Sequence, residues 1–439
     1  MCTAQPVVDA VEPHVPVTQP GLLINRNFAL LWSGQSISVV GDIVFSTTLM
    51  LWIAAQLAKG QAWAPFAVSG LLLATSIPTF VVGPLAGVFV DRWDKRHTML
   101  WMDAARAALM LSLAPVLGRL SPGWQLGVVY GVVVLVTICG QLFTPARITL
   151  IGDIVAEPHR ARASGLEQVT TNLAGAIAPP LAVPLLFGLG VQWAVAVNAL
   201  SFVLSFLAIH AIQVPRVDVP TVTGQQGHIL REFGAGLRLF IDNRLLGMLL
   251  ITAALTSLGS GAISALEVFF VIQNLHAPAG VYGLLLTAYG VGAVAGASLA
   301  GLFAQRFGVA RTFWLSLLVF GLLEVAFARV TSVAPALVIM FLLGVPQGTV
   351  TVALMPLLLH ATPRAFLGRV TAVLVPTISL AQMVSIVIAG YLDGRLLQHF
   401  HATLFGLTLG PIDVILSGAG VLIVFGGVYA LLTLRSVYR

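Results

Sequence analysis

The sequence predicts an all-α membrane protein of twelve transmembrane helices in two homologous six-helix halves. Composition is the first ground: hydrophobic residues make up 58% of the 439 positions and charged residues 9%, against about 25% charged in a soluble domain. A succession of apolar runs is the second, each long enough to cross a hydrocarbon core, which takes about 20 helical residues. The third is an internal repeat. Leu85, Ala86, Gly87, Phe89, Arg92 and Thr98 recur as Leu299, Ala300, Gly301, Phe303, Arg306 and Thr312 at a constant offset of 214, close to half the chain. Gly70 to Leu73 likewise recurs as Gly283 to Leu286. Duplication of this kind is typical of secondary transporters.

In chain order, residues 1–27 are expected to be a cytoplasmic tail. Met1 to Gly21 are rich in Pro and Val and lack the basic and apolar regions of a signal peptide. Residues 28–214 form the first half, with runs over Phe28 to Leu57, Ala64 to Val90, Thr98 to Gly118, Trp124 to Thr144, Gly165 to Gly188 and Val191 to Val214. Residues 215–243 are expected to be a cytoplasmic linker. Within it Leu230, Phe233, Leu237 and Phe240 recur at helical spacing among Arg231, Glu232 and Arg238, the pattern of an amphipathic helix lying on a membrane surface, or of a connector with incidental periodicity. Residues 244–439 form the second half, with runs over Leu245 to Gln273, Gly280 to Ala304, Ala310 to Ala328, Pro335 to Leu359, Leu367 to Leu392 and Pro411 to Leu434.

Basic residues set the orientation. With the N-terminus inside, 17 of the 22 Lys and Arg fall on the cytoplasmic side and 4 on the outer side, with Arg106 inside a helix. That bias puts both termini in the cytoplasm of a multi-pass protein of the inner membrane. The net charge of +6 is spread over short loops without an aromatic-interleaved basic stripe, so no nucleic-acid partner is expected. Cys2 and Cys139 do not make a disulfide framework. There is no phosphate-binding G-x-x-x-x-G-K-[ST] loop and no Cys and His cluster at metal spacing; the chain is read as a non-enzyme without metal or cofactor, driven by a gradient.

The most informative stretch is Gly83 to Arg106. Asp91, Arg92, Asp94, Lys95 and Arg96 crowd a hairpin between two apolar runs. Gly83 and Gly87 have the small-xxx-small spacing of close helix packing. Asp103 and Arg106, three apart on the next helix, can pair where a lone charge is expensive. Asp42 lies about fourteen residues into the first helix, close to the membrane midplane. Burial disfavours its ionised form and suits it to proton exchange; alternatively it is a structural carboxylate bonded to Ser38 or Ser46. Glu267 and Glu324 lie towards the outer ends of their runs, where each can attract a cationic substrate or snorkel to the interface. Gln35, Asn198, Gln347 and Gln382 either line a cavity or bridge helices.

Gly87, Asp91, Arg92, Lys95 and Arg96 match the G-x-x-x-D-R-x-G-R-K loop of the major facilitator superfamily, with Asp94 at a position where Gly is usual; the second-half copy has Gln305 opposite Asp91. Asn25 to Phe28, Gln35 to Asp42, Asp91 to Arg96 with Asp103 and Arg106, and Phe143 to Arg147 are similar to the drug:proton antiporter branch that contains macrolide-efflux proteins and the enterobactin exporter. On helix five Gly175 and Pro180 fit that branch's signature, while Pro179, Val183 and Pro184 depart from it. The resemblance implies a major facilitator fold that exports amphipathic drug- or macrolide-type molecules, as a multidrug efflux monomer, by proton antiport with alternating access. Asp42 would couple protons, and Gln35, Glu267, Gln347 and Gln382 would face the substrate cavity. Gly87, Asp91, Arg92, Lys95, Arg96, Asp103, Arg106 and Glu167 would form a cytoplasmic gate. Glu324, on a helix that such a fold places at the periphery, is expected to snorkel. The alternatives are a dedicated siderophore or metabolite exporter, and, from another class, a non-transporting receptor or scaffold on a transporter fold.

Overall fold

The structure, a computed structural model, describes residues 23–90, 92–213, 237–362, 366–397, 400, 402–404 and 407–437. Asp91, the tail before Leu23 and most of the expected linker and amphipathic helix lie outside the described residues. Among the described residues, twelve long helices account for the architecture: α1 (Arg26–Trp52), α2 (Ala64–Val90), α3 (Lys95–Leu113), α4 (Pro122–Ile154), α5 (Glu157–Pro184), α6 (Val191–His210), α7 (Arg244–Gln273), α8 (Val281–Phe307), α9 (Val309–Phe327), α10 (Val333–Ala361), α11 (Leu367–Tyr391) and α12 (Pro411–Val437). Among the described residues, eleven of these are long and apolar enough to cross a membrane. The twelfth is α3, which carries Lys95, Arg96, Asp103 and Arg106.

The repeat seen in the sequence is a repeat of packing. In the first half α1 packs on α5 and α6, α2 on α4, and α3 on α4 and α6; in the second half α7 packs on α11 and α12, α8 on α10, and α9 on α10 and α12. Each pair maps onto its counterpart six helices later. The contacts between halves follow the same symmetry, since α2 meets α11 and α5 meets α8. These contacts gather towards one end of the bundle and reach inward as far as Ala176 and Gly290. Ser69 Oγ donates to the Ile386 carbonyl over 3.3 Å, and Gly394, Gly390, Gly283 and Gly280 leave room for Phe66, Ser69, Pro179 and Val183 respectively. This is the end opposite to the start of α1 and the finish of α12, here called the far end; the other is the tail end. On the tail end Gly87 and Gly301, the repeated hairpin glycines, have nothing near them. The halves therefore meet at the far end. Three of the helices that reach it, α1, α5 and α11, finish in a five-residue π-helical turn, over Ile53–Leu57, Leu185–Leu189 and Leu392–Leu396.

Two expectations need correction. The charged helix ends reach further than the apolar runs: α4 continues ten residues past Thr144 and α5 begins eight before Gly165. Arg160, which the apolar pattern places in a loop, donates to the carbonyls of Gly152 and Val155 and holds the two ends together. Gly83 and Gly87 do not join helices backbone to backbone; a Cβ on Gly83 would meet only the Gln141 side chain. That role falls to Gly292 and Gly296 on α8, which lie against the carbonyls of Phe341 and Val345, and to Gly344 and Gly348 on α10, against those of Tyr289 and Ala293. Two four-residue glycine pairs face each other there, so the backbones approach as small residues alone permit. Between α11 and α12, Ala402–Leu404 and Leu407–Leu409 form a short antiparallel hairpin.

Of the expected amphipathic helix, residues 237–242 are described and helical. Phe240 is buried with Leu245, Leu249, Phe313 and Leu357 at the tail end of the second half.

A side chain at Gly344 must displace the backbone of α8. Gly344→Leu is expected to cost about 1–3 kcal/mol or more, read as a lower unfolding midpoint in micelles, whereas Gly301→Ala, facing open space, is expected to leave the midpoint unchanged.

Candidate functional site

The site begins with how closely α1 approaches α6. A Cβ on Gly34 would meet Ala208 and Ser205, and one on Gly41 would meet Ser201 and Asn198. Seven residues apart on one helix face, these glycines bring the neighbouring polar side chains of α1 onto α6. Gln35 Nε2 donates to Ser205 Oγ over 2.8 Å, and Ser205 Oγ donates to Asp103 Oδ2 over 2.6 Å. Asp103 is fully buried and pairs with Arg106. The Arg106 guanidinium lies 4.5 Å from the ring centroids of both Phe143 and Phe202. One buried cation is thus held by a carboxylate and two aromatic faces, which offsets part of its desolvation.

Asp42 stands in the next turn of α1. Asn198 Nδ2 donates to its Oδ1 over 3.2 Å, while Ser46 bonds the Ile43 carbonyl. Its partner is therefore neither of the serines expected from the sequence. Asp42, Gln35, Arg106, Gln141, Arg147 and Asn198 line one cavity of about 610 Å³. Arg147 Nε lies 3.7 Å from Glu167 Oε1, so both arginines of this cavity have a carboxylate of their own. Asp42 is left with a neutral amide.

A second cavity, of about 280 Å³, contains Glu267 of α7 and Glu324 of α9 together with Tyr282, Tyr289, Ser260 and Ser264. Both glutamates are buried, so Glu324 does not snorkel: α9 turns Glu324 and Phe320 inward, onto the cavity they share with Met340 of α10 and Glu267 of α7. Met50 and Leu72, from the first half, line both cavities. The two chambers share an apolar wall at the junction of the halves.

The expected gate residues separate into three places. Arg92 is exposed at the tail end. Lys95 donates to the Val90 and Trp93 carbonyls and Arg96 to those of Ile209 and His210, so both cap helix ends within their own half. Asp94 caps α3 through the His97 amide; partial burial works against its ionised form, but hydrogen bonds from His97 and the charges of His97 and Arg96 outweigh it and hold the carboxyl below its usual range. Asp103 and Arg106 lie about 12–16 Å deeper along α3, by the helical rise of 1.5 Å per residue, and Glu167 pairs with Arg147 rather than with the hairpin. Gln347 and Gln382 line neither cavity.

The structure also brings in residues to which the sequence reading gave no role. Arg147, Gln141, Ser205, Tyr282 and Tyr289 are ordinary polar residues in apolar runs, and only their side-chain neighbours distinguish them. Arg147 alone carried a signal, being a charge some three residues beyond an apolar segment.

The family described as transmembrane secretion effector, a branch of the major facilitator superfamily, matches residues 20–408. The chain belongs to that family. Among curated proteins it is 22% identical to an uncharacterised major facilitator transporter, YkuC of Bacillus subtilis, over 87% of this chain and 89% of that one. It is 24% identical to the putative bacilysin exporter BacE of the same organism, over 74% and 79%. It is 22% identical to macrolide efflux protein A of Streptococcus pyogenes, a match that spans about half of each chain, 52% and 54%. Among solved structures, a bacterial homologue of the iron transporter ferroportin in an inward-facing state superposes with a TM-score of 0.70 at 15% identity, over 93% of this chain and 98% of the other. The nucleoside transporter NupG gives 0.70 at 12%, over 92% and 100%. The protein is a multi-pass membrane transporter of the major facilitator fold.

Removing one partner of the buried pair in this transporter strands a charge. Asp103→Asn is expected to destabilise it by about 3–5 kcal/mol, while Arg92→Ala, at an exposed position, is expected to stay within about 0.5 kcal/mol. Urea unfolding in mixed micelles makes the comparison.

Proposed function

We propose that this transporter exports amphipathic small molecules across the inner membrane, both termini in the cytoplasm, by proton antiport with alternating access. The observation that carries the proposal is Asp42: a carboxylate on the wall of a 610 Å³ cavity, bonded to the neutral Asn198, while Arg106 and Arg147 are each matched by another acid. A carboxyl in that setting binds a proton when its chamber opens to an acidic exterior and releases it to the cytoplasm. The asymmetric distribution of Lys and Arg supports cytoplasmic termini. With that orientation the far end is the outer face, and contacts between the halves that gather towards it support a cavity facing inward. Rocking about the junction would then close the tail end, bringing Arg92 and the adjoining hairpin towards the second half as the gate.

Drug- or macrolide-type cargo is supported by the likeness to macrolide efflux protein A. The longer match to bacilysin exporters favours a second reading, a dedicated exporter of one metabolite, and a survey of substrates separates the two.

Asp42→Asn mimics the protonated carboxyl permanently. In everted vesicles the variant is expected to lose uptake driven by a pH gradient, by about 10-fold or more if one charge-assisted contact is removed, and to keep counterflow exchange. Wild-type proton-driven uptake in the variant would contradict the assignment.

A further inference from the structure

We infer that the Glu267 and Glu324 cavity is a binding subsite for the ammonium group of an organic cation, with the rest of the molecule lying past Met50 and Leu72 in the Asp42 chamber. The inference deepens the export reading above by naming a substrate class, and it rests on that reading only for its biological setting.

Four observations carry it. First, both carboxyls face the same 280 Å³ space, and neither residue is more than 5% exposed. Second, Oε1 of Glu267 and Oε1 of Glu324 are buried without a hydrogen-bond partner. In a native interior such atoms are rare and costly, and here both belong to groups lining the same space. Third, the lining contains no Lys, Arg or His. Two carboxylates in one apolar pocket cannot both ionise without a cation between them, and the protein supplies none from the lining. Fourth, Tyr282, Tyr289 and Phe320 give the pocket three aromatic side chains, the surface that attracts an ammonium through the ring quadrupole.

Size and ligand type select among cations. A bound calcium ion needs six to eight oxygen ligands and magnesium near-octahedral oxygens, and no group of three or more His, Cys, Asp or Glu suited to a metal occurs among the described residues. The volume is many times the roughly 30 Å³ of one water in the liquid, so an alkylated nitrogen fits where a bare ion would rattle. The shared wall adds direction. Met50 and Leu72 belong to the first half, whereas Glu267, Glu324, Tyr282 and Tyr289 belong to the second, so a cation seated here spans the junction about which the halves would move.

The test is equilibrium binding of tritiated benzyltrimethylammonium to the purified full-length transporter in nanodiscs. Saturable binding is expected, weakened about 10-fold or more by Glu267→Gln and by Glu324→Gln, each of which removes a charge-assisted contact. Tyr289→Phe should retain binding and Tyr289→Leu should lose several-fold. Neither neopentylbenzene, the uncharged isostere, nor sodium chloride at matched ionic strength should displace the probe. Each variant's folding is checked by its elution as a single species. Wild-type binding in both Gln variants, equal displacement by neopentylbenzene, or displacement by sodium would each overturn the proposal. Binding does not depend on coupling, so Asp42→Asn should bind the probe normally. Loss of binding in the Gln variants with no export by the wild type would sink the export reading and keep the subsite; export with no probe binding would sink the subsite alone.

Discussion

The burial of Arg106 is the constraint around which the first half is assembled. Helix α3 carries four charged residues, and a charge left bare at mid-membrane depth costs about 2.5–3.5 kcal/mol or more. Asp103 neutralises the guanidinium on its own helix, Phe143 of α4 and Phe202 of α6 cover its faces, and Ser205 and Gln35 extend the network to α1. Four helices are thereby fixed to one charge. The same network sets where Asp42 stands, because the glycines that let α1 reach Ser205 also bring Asp42 to Asn198. The buried cation has its own acid, and Asp42 is left with the amide of Asn198.

The second half solves the same packing problem with different chemistry. Where the first half has an ion pair and cation contacts, α8 and α10 interlock through facing glycine pairs, and α9 meets α12 through Gly321 and Gly420, each against the other's carbonyl. Two of its acids, Glu267 and Glu324, have no basic partner in the lining of their cavity. The halves share a pattern of helix contacts and differ in what each places at its centre. One holds the carboxyl of Asp42 beside matched charges; the other holds an acidic, aromatic pocket.

The architecture was legible because membrane burial writes itself into long apolar runs and a duplicated chain repeats its own residues. Helix ends were less so. Arg147 and Arg160 continue α4 and α5 beyond the apolar segments, and hydropathy reads charge as loop. The glycine contacts misled for a related reason: spacing identifies Gly83 with Gly87 and Gly292 with Gly296 equally, and only the opposing helix decides which pair is filled. Asp42, Asp103 and Arg106 stood out as charges in apolar surroundings. Of their partners, Asn198 was marked only as a residue that lines a cavity or bridges helices and Ser205 not at all, since a neutral polar residue in a helix carries no mark of what it touches. Glu324 was misplaced because a carboxylate near a helix end can reach water or turn inward, and the choice depends on the face that Tyr289 and Glu267 occupy.

The central claim is that the halves pivot about their far-end contacts, opening the tail end when the far end closes. Spin labels at Trp93→Cys and Phe307→Cys report the tail end, and labels at Gln61→Cys and His276→Cys the far end, with Cys2 and Cys139 replaced by serine. Distances by double electron–electron resonance in nanodiscs, for the wild-type carboxyl and for Asp42→Asn, give the direct comparison. The account predicts two distance populations at each end that exchange in opposite senses, the tail-end pair shortening as the far-end pair lengthens. A single unchanged distance at both ends, or both pairs lengthening together, would contradict it.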